Sequence, residues 1–374
     1  MGYPLYLFNP ESDLALADNS PTYLPPNRIV QMSSDLSSLP HWYAPKGSYT
    51  SIEEMILSKE PPSYIEPWGW NKALIHRLKK SNIPEHLYPN EQELECIRTL
   101  SHRATAIKTL HLLLPNPFFC GCSIELRTLD EIHTFAISHS NCLLKAPWSG
   151  SGKGLCFVHQ KLTAPQVAWC HKLLKQQKSI IAEPIYNKES DFAMEFHADQ
   201  RGNIRFAGYS LFFTDTKGAY QGNLVASNEA IISRLSLYIP PHLLNLLKQN
   251  LLQILPNIIN EQYTGYFGID MMICKFAQPP IYRIHPCVEL NLRMTMGMVA
   301  RRLFDKHLAN DTTGHFLIQY SPQPTILFTQ DEHLKHRYPL QQNTDKKIKS
   351  GYLALTPATP HTHYQARLFV NSKK

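Results

Sequence analysis

The sequence predicts a mixed fold, α/β plus α+β, and three features predict it. Short apolar runs alternate with helical stretches over residues 1–104. Two short strands then flank a glycine-rich loop at residues 143–155, LLKAPWSGSGKGL. From Asp191 onward, long alternating runs read as antiparallel hairpins. At 374 residues the chain suits two or three units that share cores.

Taken in order, residues 4–8 read as a short buried strand, and FNPESDLALADN after it as a polar loop. Residues 53–58 and 71–80 read as helices, the second with Ala73, Leu74 and Leu78 at helical spacing. The PWGW turn at 67–70 holds two tryptophans that either anchor a core or wall a pocket. Ser101 is placed to cap a helix reaching Leu113, which Pro115 and Pro117 stop. A strand is expected at 118–120. Thr128 and Glu131 form a capping box that opens a helix to about residue 137. Next come a strand ending in Lys145, the loop, a strand at 155–158, a helix at 165–177 and a strand at 179–182. Hairpin strands at 192–197 and 204–213 flank a DQRGN turn. TKGAYQGN, residues 216–223, reads as a flexible loop. A helix over 242–259, two strands and a helix at 299–307 follow. Residues 311–374 alternate short strand-like runs with proline-rich turns. The boundaries fall at 1–104, 105–186, 187–310 and 311–374, the last a C-terminal extension.

In the glycine-rich stretch, Lys145 and Lys153 flank Ser149, Gly150, Ser151 and Gly152. Glycines let backbone N–H groups approach a bulky anion, and two lysines add charge. That chemistry suits a polyphosphate; a lysine-flanked surface turn is the other reading. A P-loop is excluded, because Pro147 stands where its first glycine belongs and Gly154 where its hydroxyl belongs. The dinucleotide fingerprint fails as well, since Leu155 stands at its last glycine position.

The second feature is GYFGIDMMICKFAQPPIYRIHPCVELNLR, residues 265–293. At two-residue spacing, Glu289, Asn291 and Arg293 share one face of a strand. A turn centred between Pro279 and Pro280 places Asp270 directly opposite Glu289, roughly 5 Å apart at Cβ. Two carboxylates there repel unless something positive lies between them. Asp270, Glu289 and Asn291 thus make an oxygen donor set for Mg²⁺, or Mn²⁺ in its place. Arg293 is placed to neutralise a phosphoryl group in transfer. Pro286, which has no N–H, marks a bulge or an edge. Solvent-facing charges on an ordinary hairpin are the alternative.

Composition narrows the partners. The formal charge of +7 favours phosphorylated or acidic ligands without forming a basic tract, so no nucleic-acid partner is expected. The eight cysteines form no C-x-x-C pair, which suits free thiols in a reducing cytoplasm. No apolar run nears the ~18 residues that span a bilayer, so no membrane is expected. The N-terminus lacks the basic region and apolar core of a signal peptide, and Tyr6 breaks the myristoylation pattern.

In their order, LLKAP, SGSGKG, IIAEPI, NKESDFAMEF, GIDMMIC and VELNLR resemble the ATP-grasp superfamily over about residues 101–308. The resemblance implies a small N-terminal α/β domain followed by two α+β lobes clasping ATP, a small lobe at 105–186 and a large one at 187–310. It implies ATP phosphates on Lys145, Ser151, Gly152 and Lys153, with Lys153 and Arg293 catalytic. Adenine would meet Glu183 and the backbone at Ile185, and ribose Asp191 or Glu189. Mg²⁺ would sit on Asp270, Glu289 and Asn291. ELNLRMTMGM lacks the serine and proline of D-alanine ligases, and no narrower family is assigned. The expected activity is ATP-dependent carboxylate–amine or carboxylate–thiol ligation through an acyl phosphate, on an unidentified small acid or peptide. A small-molecule kinase and a non-catalytic ATP-binding module are the alternatives. Asn9, Glu11, Asp13, the PWGW turn and the 216–223 loop are candidate acceptor contacts, and a homodimer is common in the superfamily.

Overall fold

The computed structural model describes residues 2–150, 154–216 and 218–372. In the N-terminal unit, β1 (Leu5–Leu7) pairs in parallel with β2 (Ile65–Pro67). The helices here are α1 (Ser12–Asp18), α2 (Asn27–Asp35), α3 (Ile52–Ser58), α4 (Lys72–Lys80) and α5 (Glu91–Leu100). Met55 of α3 and Leu74 and Leu78 of α4 pack on Leu5, Leu7 and Ile65. The predicted FNPESDLALADN loop turns helical at Ser12, because Ala15 and Leu16 find a core to enter.

α6 (Arg103–Leu113) begins where predicted, but Ser101 does not cap it. The Ser101 hydroxyl donates back to the Ile97 carbonyl at 2.7 Å, and the His102 ring accepts the Ala104 N–H instead. The expected strand at 118–120 is a single bridge from Phe119 to Ile284. The strand that forms lies later, as β3 (Ile124–Leu126). Then come α7 (Leu129–Ser138), β4 (Asn141–Lys145), β5 (Leu155–His159), α8 (Ala164–Gln177) and β6 (Ile180–Pro184). These strands make an antiparallel sheet in the order β3-β6-β4-β5. Ile132 and Phe135 of α7 and Leu173 of α8 cover it.

Among the described residues the large sheet has nine strands, all antiparallel. It opens with β7 (Lys188–Ala198), β8 (Ile204–Thr214) and β9 (Tyr220–Val225), the last formed from half of the predicted flexible loop. After α9 (Asn228–Leu235) and α10 (Pro241–Ile259) come β10 (Gly265–Lys275), β11 (Tyr282–Asn291) and α11 (Met296–His307). The chain ends with β12 (Thr312–Tyr320), α12 (Pro324–Arg337), β13 (Gln341–Gln342), β14 (Ile348–Ala354) and β15 (Tyr364–Ser372). The order is β11-β10-β7-β8-β9-β12-β15-β14-β13, so residues 311–374, read as an extension, supply four strands of this sheet.

Alternation gives the sheet two chemistries. Phe192, Met194 and Phe196 face a core shared with Leu244, Leu247 and Leu251 of α10. Their neighbours Asp191, Ala193 and Glu195 face the other way, toward the small sheet and the N-terminal unit. Among the described residues, no helix is long and apolar enough to cross a membrane.

The capping box of α7 is fully formed. Thr128 Oγ1 accepts the Glu131 N–H at 3.2 Å, and Glu131 Oε2 accepts the Thr128 N–H at 3.0 Å. Thr128→Ala is expected to lower stability by about 1 kcal/mol, read as a lower urea midpoint at unchanged slope.

Candidate functional site

Lys145 ends β4, and its Nζ lies 2.5 Å from Glu183 Oε2 on β6; both side chains are 5% exposed. Ser123 Oγ donates to the other Glu183 oxygen at 3.0 Å. Burial works to raise the Glu183 carboxyl, but the Lys145 ammonium, His285 and these hydrogen bonds outweigh it. Glu183 is therefore held below its ordinary value, as a buried ion pair requires.

On the large sheet, Asp270 stands directly opposite Glu289, as predicted, but by a different route. The turn is centred one residue earlier than expected, with the Phe276 N–H on the Ile281 carbonyl. Between the Met272–His285 and Asp270–Glu289 pairs, β10 advances two residues and β11 four. The surplus bulges around Pro286, which cannot feed the ladder. The two displacements cancel at the acids.

Asn291 Nδ2 donates to Asp270 Oδ2 at 3.0 Å. Burial, and then the facing Glu289, push Asp270 up to about 7. Glu195 of β7 shares this face and accepts from Thr295 Oγ1 at 2.9 Å. Burial pushes it up to about 8. Gly268 permits its approach, since a Cβ there would lie 2.7 Å from Glu195 Oε2. Asp270 and Glu289 are half-buried, and Glu195 is buried beside them. Such a hard donor set fits Mg²⁺.

Two arginines tie this face to the rest of the molecule. Arg103, at the start of α6, donates Nη2 to Glu289 Oε1 at 2.6 Å. The same guanidinium binds the carbonyls of Ala146 and Ser149, and Ser149 Oγ at 2.7 Å. It thereby fixes the entrance of the glycine-rich loop to the large sheet. Arg293 donates to Asn291 Oδ1 at 3.0 Å, and its Nε to Asp13 Oδ1 at 2.9 Å. Asp13 in turn lies against Gly150, where a Cβ would come within 2.1 Å of its Oδ2. Between Asp13, Ser149, Glu289, Asn291 and Arg293 remains a cavity of about 10 Å³. That is room for about one water.

The small-sheet ion pair and the large-sheet acids are neighbours. Cys287 on β11 is buried within electrostatic reach of Asp270, Glu183, Lys145 and Glu289. His285 on the same strand is fully buried, and neither ring nitrogen has a hydrogen-bond partner among the described residues. Burial holds it down to about 4, although Glu183 works the other way.

Of the other residues expected from the sequence, Ser151, Gly152 and Lys153 lie outside the described residues. Asp191 accepts from Lys188 at 2.5 Å and Thr214 at 2.8 Å, while Glu189 is exposed. The Ile185 N–H is taken by the Asn141 carbonyl at 3.0 Å, and its side chain is exposed. Asn9 exchanges hydrogen bonds with the Gly69 backbone, and Glu11 pairs with Arg77 at 3.0 Å. Trp68 is a core anchor, edge-on to Phe8 with centroids 5.0 Å apart. Asn223, from the 216–223 loop, is buried and donates to Ser210 Oγ at 2.7 Å. Asp13 is the acceptor candidate that reaches the cleft. Sequence reasoning missed Arg103, Glu195 and His285, because each lies in a run that reads only as local structure.

No protein-family model and no curated protein sequence matches the chain. Solved structures do. N5-carboxyaminoimidazole synthetase from Staphylococcus aureus, complexed with ADP, is 11% identical with TM-score 0.52, covering 100% of this chain and 94% of that one. Biotin carboxylase from Campylobacter jejuni, in a β,γ-ATP complex, is 12% identical with TM-score 0.52, covering 99% and 88%. The biotin carboxylase domain dimer of Hydrogenobacter thermophilus 2-oxoglutarate carboxylase, with MgADP, ADP and bicarbonate, is 10% identical with TM-score 0.52, covering 100% and 87%. The likeness is one of fold, and the fold is ATP-grasp.

Two outcomes follow from the geometry. Arg103→Ala strips Glu289 of its partner and is expected to cost about 3 kcal/mol in urea unfolding, with Arg103→Lys recovering only part. His285 binds its proton less readily folded than unfolded. Stability therefore falls as pH drops from about 6.5 toward 4. His285→Asn should lose less than the unsubstituted chain between pH 7 and pH 5, measured by denaturant titration at each pH.

Proposed function

We propose that the chain is an ATP-dependent ligase that joins a carboxylate to an amine or a thiol through an acyl phosphate. The observation that carries this reading is the convergence of three separate chain regions. The Asp270–Glu289–Asn291 face is bridged by Arg103 and by Arg293 with Asp13, and the buried Lys145–Glu183 pair lies within electrostatic reach of the same strand. The fold is that of enzymes solved with ADP and MgADP, which supports ATP as the co-substrate.

In this reading Lys145 and Lys153 hold the phosphates, together with Ser151 and Gly152. Glu183 and the backbone near Ile185 hold adenine, and Asp191 the ribose. The γ-phosphoryl group passes to the substrate carboxylate, giving ADP and an acyl phosphate. The amine or thiol attacks the carbonyl carbon, and inorganic phosphate leaves. Arg293 neutralises charge on the transferring group, and Asp13 holds its guanidinium in place. Mg²⁺, or Mn²⁺, held by Asp270, Glu289 and Asn291, would supply positive charge at the phosphate oxygens. The chain's own contribution is positioning and charge neutralisation. Reclosure of the Arg103 bridge would exclude water from the acyl phosphate. The acid is a small carboxylate, amino acid or peptide. We place the protein in the cytoplasm, on its eight free cysteines.

The test is ADP release across a panel of amino acids, dipeptides and small dicarboxylates, with mass spectrometry of the product. An amide or thioester with free phosphate is expected. A stable phosphorylated product would mean phosphoryl transfer without ligation. Lys145→Ala and Glu289→Ala are each expected to abolish substrate-dependent ADP release while the folded chain persists. Full release by Glu289→Ala would remove the metal assignment.

A further inference from the structure

A second cavity, of about 490 Å³, lies where β1 and β2 of the N-terminal unit face β7, β10 and α11. Its volume is that of a small-molecule site. It is separate from the phosphate cleft. Tyr266, in its wall, stands four residues before Asp270 on β10, about 13 Å along the strand.

One end is built for a cation. Glu66 lies there, on β2, accepting the Tyr266 backbone N–H. Tyr6 stands edge-on to both Tyr43 and Tyr64, each with centroids 6.1 Å away. Tyr6, Tyr43 and Tyr64 line the cavity together with this carboxylate, and aromatic rings beside a carboxylate suit an ammonium group. Burial pushes Glu66 up to about 7, against the pull of the Tyr266 N–H.

The lining also offers an anion two cationic side chains. Arg302 and Lys306 stand one turn apart on α11 and both line the cavity. Lys306 Nζ is held by the carbonyls of Tyr43 and Ala44, each at 2.7 Å. Arg302 donates to the Tyr266 hydroxyl. A guanidinium has five donors and an ammonium three, so both retain donors for a ligand.

We propose that this cavity binds a small amino acid or short peptide as a zwitterion, with its ammonium at Glu66 and the tyrosines and its carboxylate at Arg302 and Lys306. The site stands independently of the nucleotide reading.

The test is titration calorimetry on the full chain with the standard L-amino acids and dialanine. Each hit is repeated with its decarboxylated and its deaminated analogue. Saturable binding is expected, weakened at least about tenfold by loss of either charged group, by Glu66→Gln and by Lys306→Met. Lys306 is exposed, so its substitution leaves a folded chain even if Glu66→Gln does not. MgADP titrated into the same variants should bind as to the unsubstituted chain. No saturable heat across the panel overturns the proposal. So does a hit that both substitutions leave unchanged, or one whose deaminated analogue binds equally well. Amino-acid binding without any MgADP binding would sustain this site and overturn the nucleotide reading instead.

Discussion

Asp270 and Glu289 face one another across neighbouring strands, and like charges at about 5 Å repel. In a buried position that repulsion has to be met by something positive, and much of the cleft follows from how it is met. Glu289 takes Arg103, which comes from a helix far away in the chain and also holds the carbonyls before the glycine-rich loop. Asp270 takes the Asn291 amide and feels the Arg293 charge, yet its carboxyl is driven upward. Asn291 is itself braced by Arg293, and Arg293 by Asp13. One electrostatic conflict thereby joins the N-terminal unit, the small sheet and the large sheet.

The same network explains why the cleft is tight. Arginine side chains that pair with the carboxylates fill the space between them, leaving about 10 Å³. A nucleotide bringing its own negative charge and a divalent cation would compete for both partners of each bridge. The larger cavity beside β1 and β2 differs, with about 490 Å³ open among its charged and aromatic side chains.

Much of this was legible in the residues. The box at Thr128 and Glu131 formed as its spacing required, because both hydrogen bonds are local. The strands carrying Lys145, Glu183, Asp270 and Glu289 lie where alternation put them. The pairing of the two acids was also right, though only because a shifted turn and a bulge at Pro286 compensate. Less legible was Ser101, where two hydroxyl-bonding partners competed and the preceding helix won. The C-terminal strands were weakest. Their short runs make sense only beside β9, a neighbour remote in sequence.

The sequence by itself determined which residues could carry the chemistry: lysines around glycines, and acids at two-residue spacing on strands. Periodicity and capping act over a few residues, so they can be read without coordinates. Only the tertiary structure decided what those residues meet. Arg103 on Glu289, Glu195 beside Asp270, Asp13 against Gly150 and the tyrosines around Glu66 all join positions far apart in the chain. Contacts of that kind depend on how sheets and helices stack, and no local pattern encodes them.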